Sequence, residues 1–414
     1  MSNAKEALIT RRTFTYLSAT AVAALCLGGL TSCSSGGNGG EGGSVTAKEK
    51  TLSAEEKQEL AFTRIVESMT LEEKIAQLFV VTPEALTGAE TVTSAGTVTK
   101  ASVEALPVGG VVYFAKNLID PEQTKAMLAN TLQYYEEAGK QPPFLAVDEE
   151  GGTVARIARN SAFGVENVGD MQDVGASGST AEARAVGSTI AGYLKPLGFN
   201  LDFAPVCDIA NNPNSDVMRR RAFGQTASEV SAMASACIEG FLEGGMLCSA
   251  KHFPGIGGAL GDSHEVQITS QETKVDLEAE ELLPFKAAIQ AGVPLVMVGH
   301  LSLPNITGSS VPSCLSSEVV TGILRETLGF AGVVITDSLT MNAVSDYYDA
   351  GEAAVRCLEA GCDVALMPED LALAVQGVHA AVEGGRISQT RIDESVRRIL
   401  RAKAQAMPTK FPKE

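Results

Sequence analysis

The sequence predicts an α/β fold: a single (β/α)8 TIM-type barrel, possible irregularity being confined to its first repeats. Three observations predict it. Short apolar runs alternate with longer amphipathic stretches along the chain, as strands and helices alternate in a parallel α/β fold. Eight such runs occur, at 78–81, 110–114, 144–147, 201–204, 247–250, 295–298, 333–336 and 364–367. Titratable residues follow the third to the seventh of them: Asp148, Asp208, Lys251 with His252, His300 and Asp337. In a barrel of this kind the reacting groups project from the C-terminal strand ends, which gives that placement a reason packing does not supply. An open doubly wound sheet is the alternative that periodicity alone leaves standing.

The elements follow in order. Thr10-Arg11-Arg12-Thr13-Phe14 reads as a twin-arginine export signal. The apolar stretch 17–30 behind it is shorter than the roughly 20 residues a membrane-spanning helix needs. Leu30-Thr31-Ser32-Cys33 resembles the lipobox of bacterial lipoproteins, which implies lipidation of Cys33. Ser and Gly dominate 34–44, the composition of a flexible tether. The expected organisation is therefore a signal peptide over 1–32, a lipidated cysteine and linker over 33–50, and one domain over 51–408. The expected address is extracytoplasmic, with the protein lipid-anchored to the cell membrane.

Ser53 is placed to cap a first helix, and Thr70 with Glu73 forms a capping box for a second. The Thr/Ala/Gly-rich segment 82–105 shows no clear helix. Helical patterns occupy 121–138, 181–194, 227–243, 276–291, 317–328 and 351–360. A last amphipathic helix over 387–405 carries Ile392, Val396, Ile399 and Leu400 on one face, suited to docking on the outside of the barrel.

Composition narrows the partners. A formal net charge of −18 opposes nucleic acid or an anionic surface, both of which select basic patches. Tryptophan is absent and aromatic residues make up 5%, so a ligand site here must rely on hydrogen bonds and ion pairs more than on stacking. Of eight cysteines, six lie in the body of the chain, at 207, 237, 248, 314, 357 and 362. They form no CxxC pair and no cluster with histidine, which argues for buried free thiols and against a zinc site.

The most informative stretch is 251–264, KHFPGIGGALGDSH. Lys251 and His252 stand where a buried strand ends, four glycines follow, and the stretch closes on Asp262-Ser263-His264. Two of the chain's four histidines fall here. The glycines suggest a loop able to swing His264 over bound substrate. The pattern KHFPG-x-G-x4-DSH resembles the signature of bacterial β-N-acetylhexosaminidases of glycoside hydrolase family 3, although Ile256 stands where many relatives have a second histidine.

Other segments carry the same resemblance. MTLEEKIAQLF from Met69 looks like the family's entry segment. Val147-Asp148-Glu149-Glu150-Gly151-Gly152-Thr153-Val154-Ala155-Arg156 is similar to its D-x-E-G-G-x-V-x-R segment, with Glu149 where relatives often have Gln, an added negative charge near the pocket. Asp202 and Asp208 lie in a further family-like segment, Asp202 within the strand pattern as a structural residue. Arg221-Ala222-Phe223-Gly224 matches R-x-F-G, with Arg220 in place of the usual Asp. Thr336-Asp337-Ser338-Leu339-Thr340-Met341 is similar to the nucleophile motif, S/T-D-x-x-x-M. His300 either lines the pocket or supports it, and His379 lies in a helical pattern far from any motif.

The resemblance implies a retaining exo-β-N-acetylglucosaminidase with no metal or organic cofactor. It implies Asp337 as nucleophile and His264, paired with Asp262, as acid/base. It further implies Asp148, Arg156, Arg221, Lys251 and His252 as contacts to a β-linked N-acetylglucosaminide, such as a peptidoglycan fragment or chitin oligomer. Phosphorolysis, plain β-glucosidase activity and a catalytically dead glycan-binding lipoprotein are the alternatives.

Overall fold

A computed structural model describes residues 52–212, 215–258 and 267–411. The expected export signal, Cys33, the expected tether, Asp262 and His264 lie outside the described residues.

Eight strands form the core: β1 Phe79–Val81, β2 Gly110–Tyr113, β3 Phe144–Val147, β4 Leu201–Asp202, β5 Leu247–Phe253, β6 Leu295–Val298, β7 Val333–Thr336 and β8 Ala365–Leu366. All neighbouring pairs run parallel, from β7 in sequence back to β1 and then to β8. The two ends meet. Ile335 bridges Val364 in parallel, and the Asp363 amide reaches the Val334 carbonyl at 2.7 Å while Thr336 N–H reaches Val364 O at 3.0 Å. That closure makes a (β/α)8 barrel and removes the open doubly wound sheet. Val, Ile, Leu, Phe and Ala fill the strands, which are buried along their length, as expected for strands covered on both faces.

Most expected elements appear within a residue or two of their predicted bounds. Ser53 and Thr70 accept from the amides of Glu56 and Glu73, and each glutamate returns the bond, so both capping boxes form. The C-terminal helix Gln389–Ala406 buries Ile392, Val396, Ile399 and Leu400. It also brings Arg391 and Arg398 onto the buried carboxylate of Asp363, just before β8. All six described cysteines are free and buried.

Several details differ from expectation. Segment 82–105 holds two helices, Pro83–Thr87 and Thr97–Ala105. The first exists because the Thr82 side chain caps the Ala85 amide, Pro83 suits the first turn, and Gly88 closes the helix at φ 72°. The expected helix at 276–291 is broken into Lys274–Ala279 and Leu282–Gln290, with Glu281 turned into the protein at the break. β4 ends at Asp202, before Ala204-Pro205, although Ser249 N–H still bonds Ala204 O. β5 runs past Ala250 to Phe253, so Lys251 and His252 belong to the strand itself.

Candidate active site

The C-terminal ends of β3 to β7 gather the charged residues into one connected group. Lys251 Nζ, from β5, lies 2.9 Å from Asp148 Oδ1 and 2.7 Å from Glu150 Oε1, both just past β3. Arg221 grips the same Glu150 with Nε and Nη2, at 2.7 and 2.8 Å. Two cations thus share one carboxylate that is 3% exposed. Burial acts to raise the Glu150 carboxyl, but Arg221 and Lys251 overcome it and hold it far below the usual carboxylate range. Burial likewise acts to lower Lys251, and Asp148 and Glu150 more than reverse it. Arg221 is raised against its own burial, first by Glu150. All three groups therefore stay ionised around neutral pH. Asp148 is the most exposed member, with 19% of its side chain accessible against 14% for Arg221.

His252 extends the group. Its Nδ1 lies 2.7 Å from Asp208 Oδ2, and its Nε2 lies 3.3 Å from Arg221 Nη2. A guanidinium nitrogen only donates, so Nε2 accepts and Nδ1–H donates to Asp208. Asp208 also takes the His252 and Ile256 amides, at 3.1 and 2.8 Å, and so ties the end of β5 to the loop behind it.

Asp337 closes the arc at the end of β7. Its amide remains in the ladder, donating to Val298 O at 2.8 Å, and the Ser338 amide donates to its Oδ1 at 2.7 Å. The side chain is half-buried. Burial raises its carboxyl, yet His252, His300, the Ser338 amide and Lys251 together leave it below the usual range. Of these, the Ser338 amide and the Lys251 ammonium act whatever the protonation of the two imidazoles. His300 is buried and donates from Nε2 to the Ser338 carbonyl at 2.8 Å. Its Nδ1 then accepts from the Cys314 thiol at 3.2 Å. His300 thus supports the loop that carries Asp337.

The structure therefore brings together Asp148, Lys251, His252, Arg221 and Asp337. Arg156 lies in the loop after β3, its guanidinium 5.8 Å from the Phe114 ring centroid and its Nε buried with no acceptor among the described residues. Sequence reasoning left Glu150 and Asp208 without roles. Both serve other side chains, and the cue was present in the acidic triplet after β3 and the acid following Pro205. Glu149 is a correction: its buried carboxylate takes the amides of Arg156, Ile157 and Ala158 and so turns into the loop, away from the role of an added pocket charge. Asp202 is structural as expected, accepting from the Glu149 amide at 2.9 Å, and burial holds its carboxyl well above the usual range. His379 lies 3.5 Å from both Glu72 and Glu383, on the helix Leu371–Glu383.

The glycines at the loop's start also need correcting. Gly255 adopts φ 120°, which disfavours a side chain. Gly257 serves close approach, since a Cβ there would stand 1.8 Å from the Ile209 carbonyl oxygen. The described stem is packed tightly, and freedom to swing is not the reason for these two residues.

The chain belongs to glycosyl hydrolase family 3, whose N-terminal domain matches residues 70–402. β-Hexosaminidase A of Pseudoalteromonas piscicida is 32% identical over 323 residues, covering 72% of this chain and 53% of that protein. A β-hexosaminidase of Nitrosomonas eutropha is 32% identical over 298 residues, 70% of this chain and 83% of that one. Among solved structures, a family 3 β-N-acetylglucosaminidase from Paenibacillus superposes with a TM-score of 0.77 at 36% identity, covering 82% of this chain and 63% of that one. The match thus spans about half the length of the Pseudoalteromonas relative.

Proposed function

We propose that this chain is a retaining exo-β-N-acetylglucosaminidase that releases terminal N-acetylhexosamine from glycans such as peptidoglycan fragments or chitin oligomers. The observation that carries the reading is Asp337, a half-buried carboxylate at the end of β7 held below the usual carboxylate range beside Lys251, His252 and His300. A group that remains ionised and stands at a barrel strand end is suited to attack an anomeric carbon. Relatives named β-hexosaminidase and a neighbouring β-N-acetylglucosaminidase structure support the sugar class.

The mechanism has two steps. Asp337 attacks C1 and forms a glycosyl ester while His264, oriented by Asp262, protonates the departing oxygen. His264, now neutral, takes a proton from water, which attacks C1 and frees Asp337. Asp148, Arg156, Arg221, Lys251 and His252 hold the sugar hydroxyls, with Asp148 as acceptor and the cations as donors. The same proposal places the enzyme outside the cytoplasm, anchored through lipid on Cys33.

The test is a panel of aryl β-glycosides, with and without the 2-acetamido group, assayed in phosphate-free buffer. Release of N-acetylglucosamine first as its β-anomer, faster than any plain glucoside, is expected. An α-anomer first, a preference for glucosides, or turnover only on adding phosphate would each overturn the assignment.

A further inference from the structure

We infer that Glu149 and Tyr193 form a positioning pair for Arg156, which rests on the reading of Arg156 as a sugar contact. Glu149 Oε2 accepts the amides of Arg156 and Ile157 at 2.5 and 2.8 Å, and Oε1 accepts the Ala158 amide at 2.8 Å. The fourth donor is the Tyr193 hydroxyl, 2.9 Å from Oε1, reaching across from the helix Thr180–Leu197. Glu149 is fully buried, and no cation pairs with it among the described residues. Four donors on two oxygens take the place of a counter-ion.

Those bonds matter because residues 152–160 form neither helix nor strand. Three consecutive amides there find their acceptor on one side chain, so the backbone carrying Arg156 takes its orientation from Glu149. The support continues downward, since the Glu149 amide is fixed on Asp202 inside the barrel. At the other end, the Arg156 guanidinium rests near Phe114, and its buried Nε–H has no acceptor among the described residues. A donor left unmade in a buried place is costly unless a ligand or water completes it. The frame built from Asp202, Glu149 and Tyr193 thus ends on a guanidinium with a vacant bond to offer.

An amide at 149 keeps one acceptor oxygen and turns an NH2 toward donors. Glu149→Gln is therefore expected to raise KM about tenfold while kcat stays within about twofold, the signature of lost binding common to ground and transition states. Tyr193→Phe, which removes one donor from Oε1, should raise KM about threefold in the same way. Arg156→Ala should raise KM at least as much as Glu149→Gln, and the double variant should be no worse than Arg156→Ala alone. The substrate is whichever aryl β-glycoside the wild-type enzyme turns over best. If Glu149→Gln unfolds, the Tyr193→Phe cycle with Arg156→Ala makes the same comparison. A Glu149 effect that persists undiminished without Arg156, or one that falls on kcat, would overturn the inference and leave a purely structural carboxylate. A harmless Glu149→Gln beside a damaging Arg156→Ala would also overturn it, with the sugar contact intact. A harmless Arg156→Ala would remove the contact and the inference together.

Discussion

The charged group at the strand ends is unusual in how its charges are held. Lys251 and Arg221 are both committed to Glu150, and Asp148 shares Lys251. Such buried pairs add little net stability, because desolvation cancels much of their attraction, but they fix geometry. The residues that hold the others were the least legible. Asp148, Lys251, His252, Arg221, Glu150 and Asp208 all stood in motifs or family-like segments, but the last two bind only protein, a supporting role that the pattern itself does not announce. The acid/base assignment to His264 makes its own prediction. Natural glycosides need their leaving oxygen protonated, and activated aryl glycosides do not. His264→Ala should therefore abolish turnover of the former while sparing glycosylation from the latter, with azide restoring turnover by trapping the intermediate. Equal losses on both substrates, unaffected by azide, would place the acid/base elsewhere.

Among the elements, the broken helix at 274–290 and the loop stem after β5 explain each other. Glu281 at the break is 3% exposed, with Oε1 on Asn211 Nδ2 at 3.0 Å and Oε2 without a partner among the described residues. A Cβ on Gly255 would stand 2.7 Å from that second oxygen, so the acid sits against the loop stem. Burial first, then the charges of Glu272, Asp208 and Glu280 outweighing the Asn211 hydrogen bond, push its carboxyl from the ordinary 4.5 up to about 8. Between those values the unfolded chain has lost this proton and the folded one keeps it. Folding stability therefore falls as pH rises from 4.5 to about 8 and is unaffected by this group at lower pH. Glu281→Gln should thus melt near wild type at pH 4.5 and higher by a few degrees at pH 8.5, read by thermal denaturation. A constant offset at all pH values would show that Glu281 does not titrate in that window. The break could not be read beforehand, because 276–291 keeps a helical apolar pattern straight through it. Its cause is a contact with a strand end far away in sequence.

For the chain as a whole, the barrel explains why residues from 148 to 337 converge. Five successive strands, β3 to β7, stand side by side and deliver their C-terminal ends to one rim. That much was legible, since each motif closes an apolar run. Closure was expected from the eight runs and the polar strand ends, but periodicity alone left an open sheet standing, because the Ile335–Val364 bridge depends on strand tilt and register that local pattern does not encode. Among the described residues no helix is long and apolar enough to cross a membrane. The proposed lipid anchor therefore needs its own test. Native protein should partition into detergent, and Cys33→Ser should release it to the aqueous phase. Wild-type protein found soluble and processed at another position would contradict the anchor.

The most direct measurement concerns Asp337. A fluorinated N-acetylglucosaminide with a good leaving group should form the glycosyl ester faster than water can break it. Peptide mass analysis of the inactivated enzyme is predicted to place the sugar on Asp337, and Asp337→Asn should neither label nor turn over substrate while melting like wild type. A label on another carboxylate, or appreciable turnover by Asp337→Asn, would contradict the mechanism.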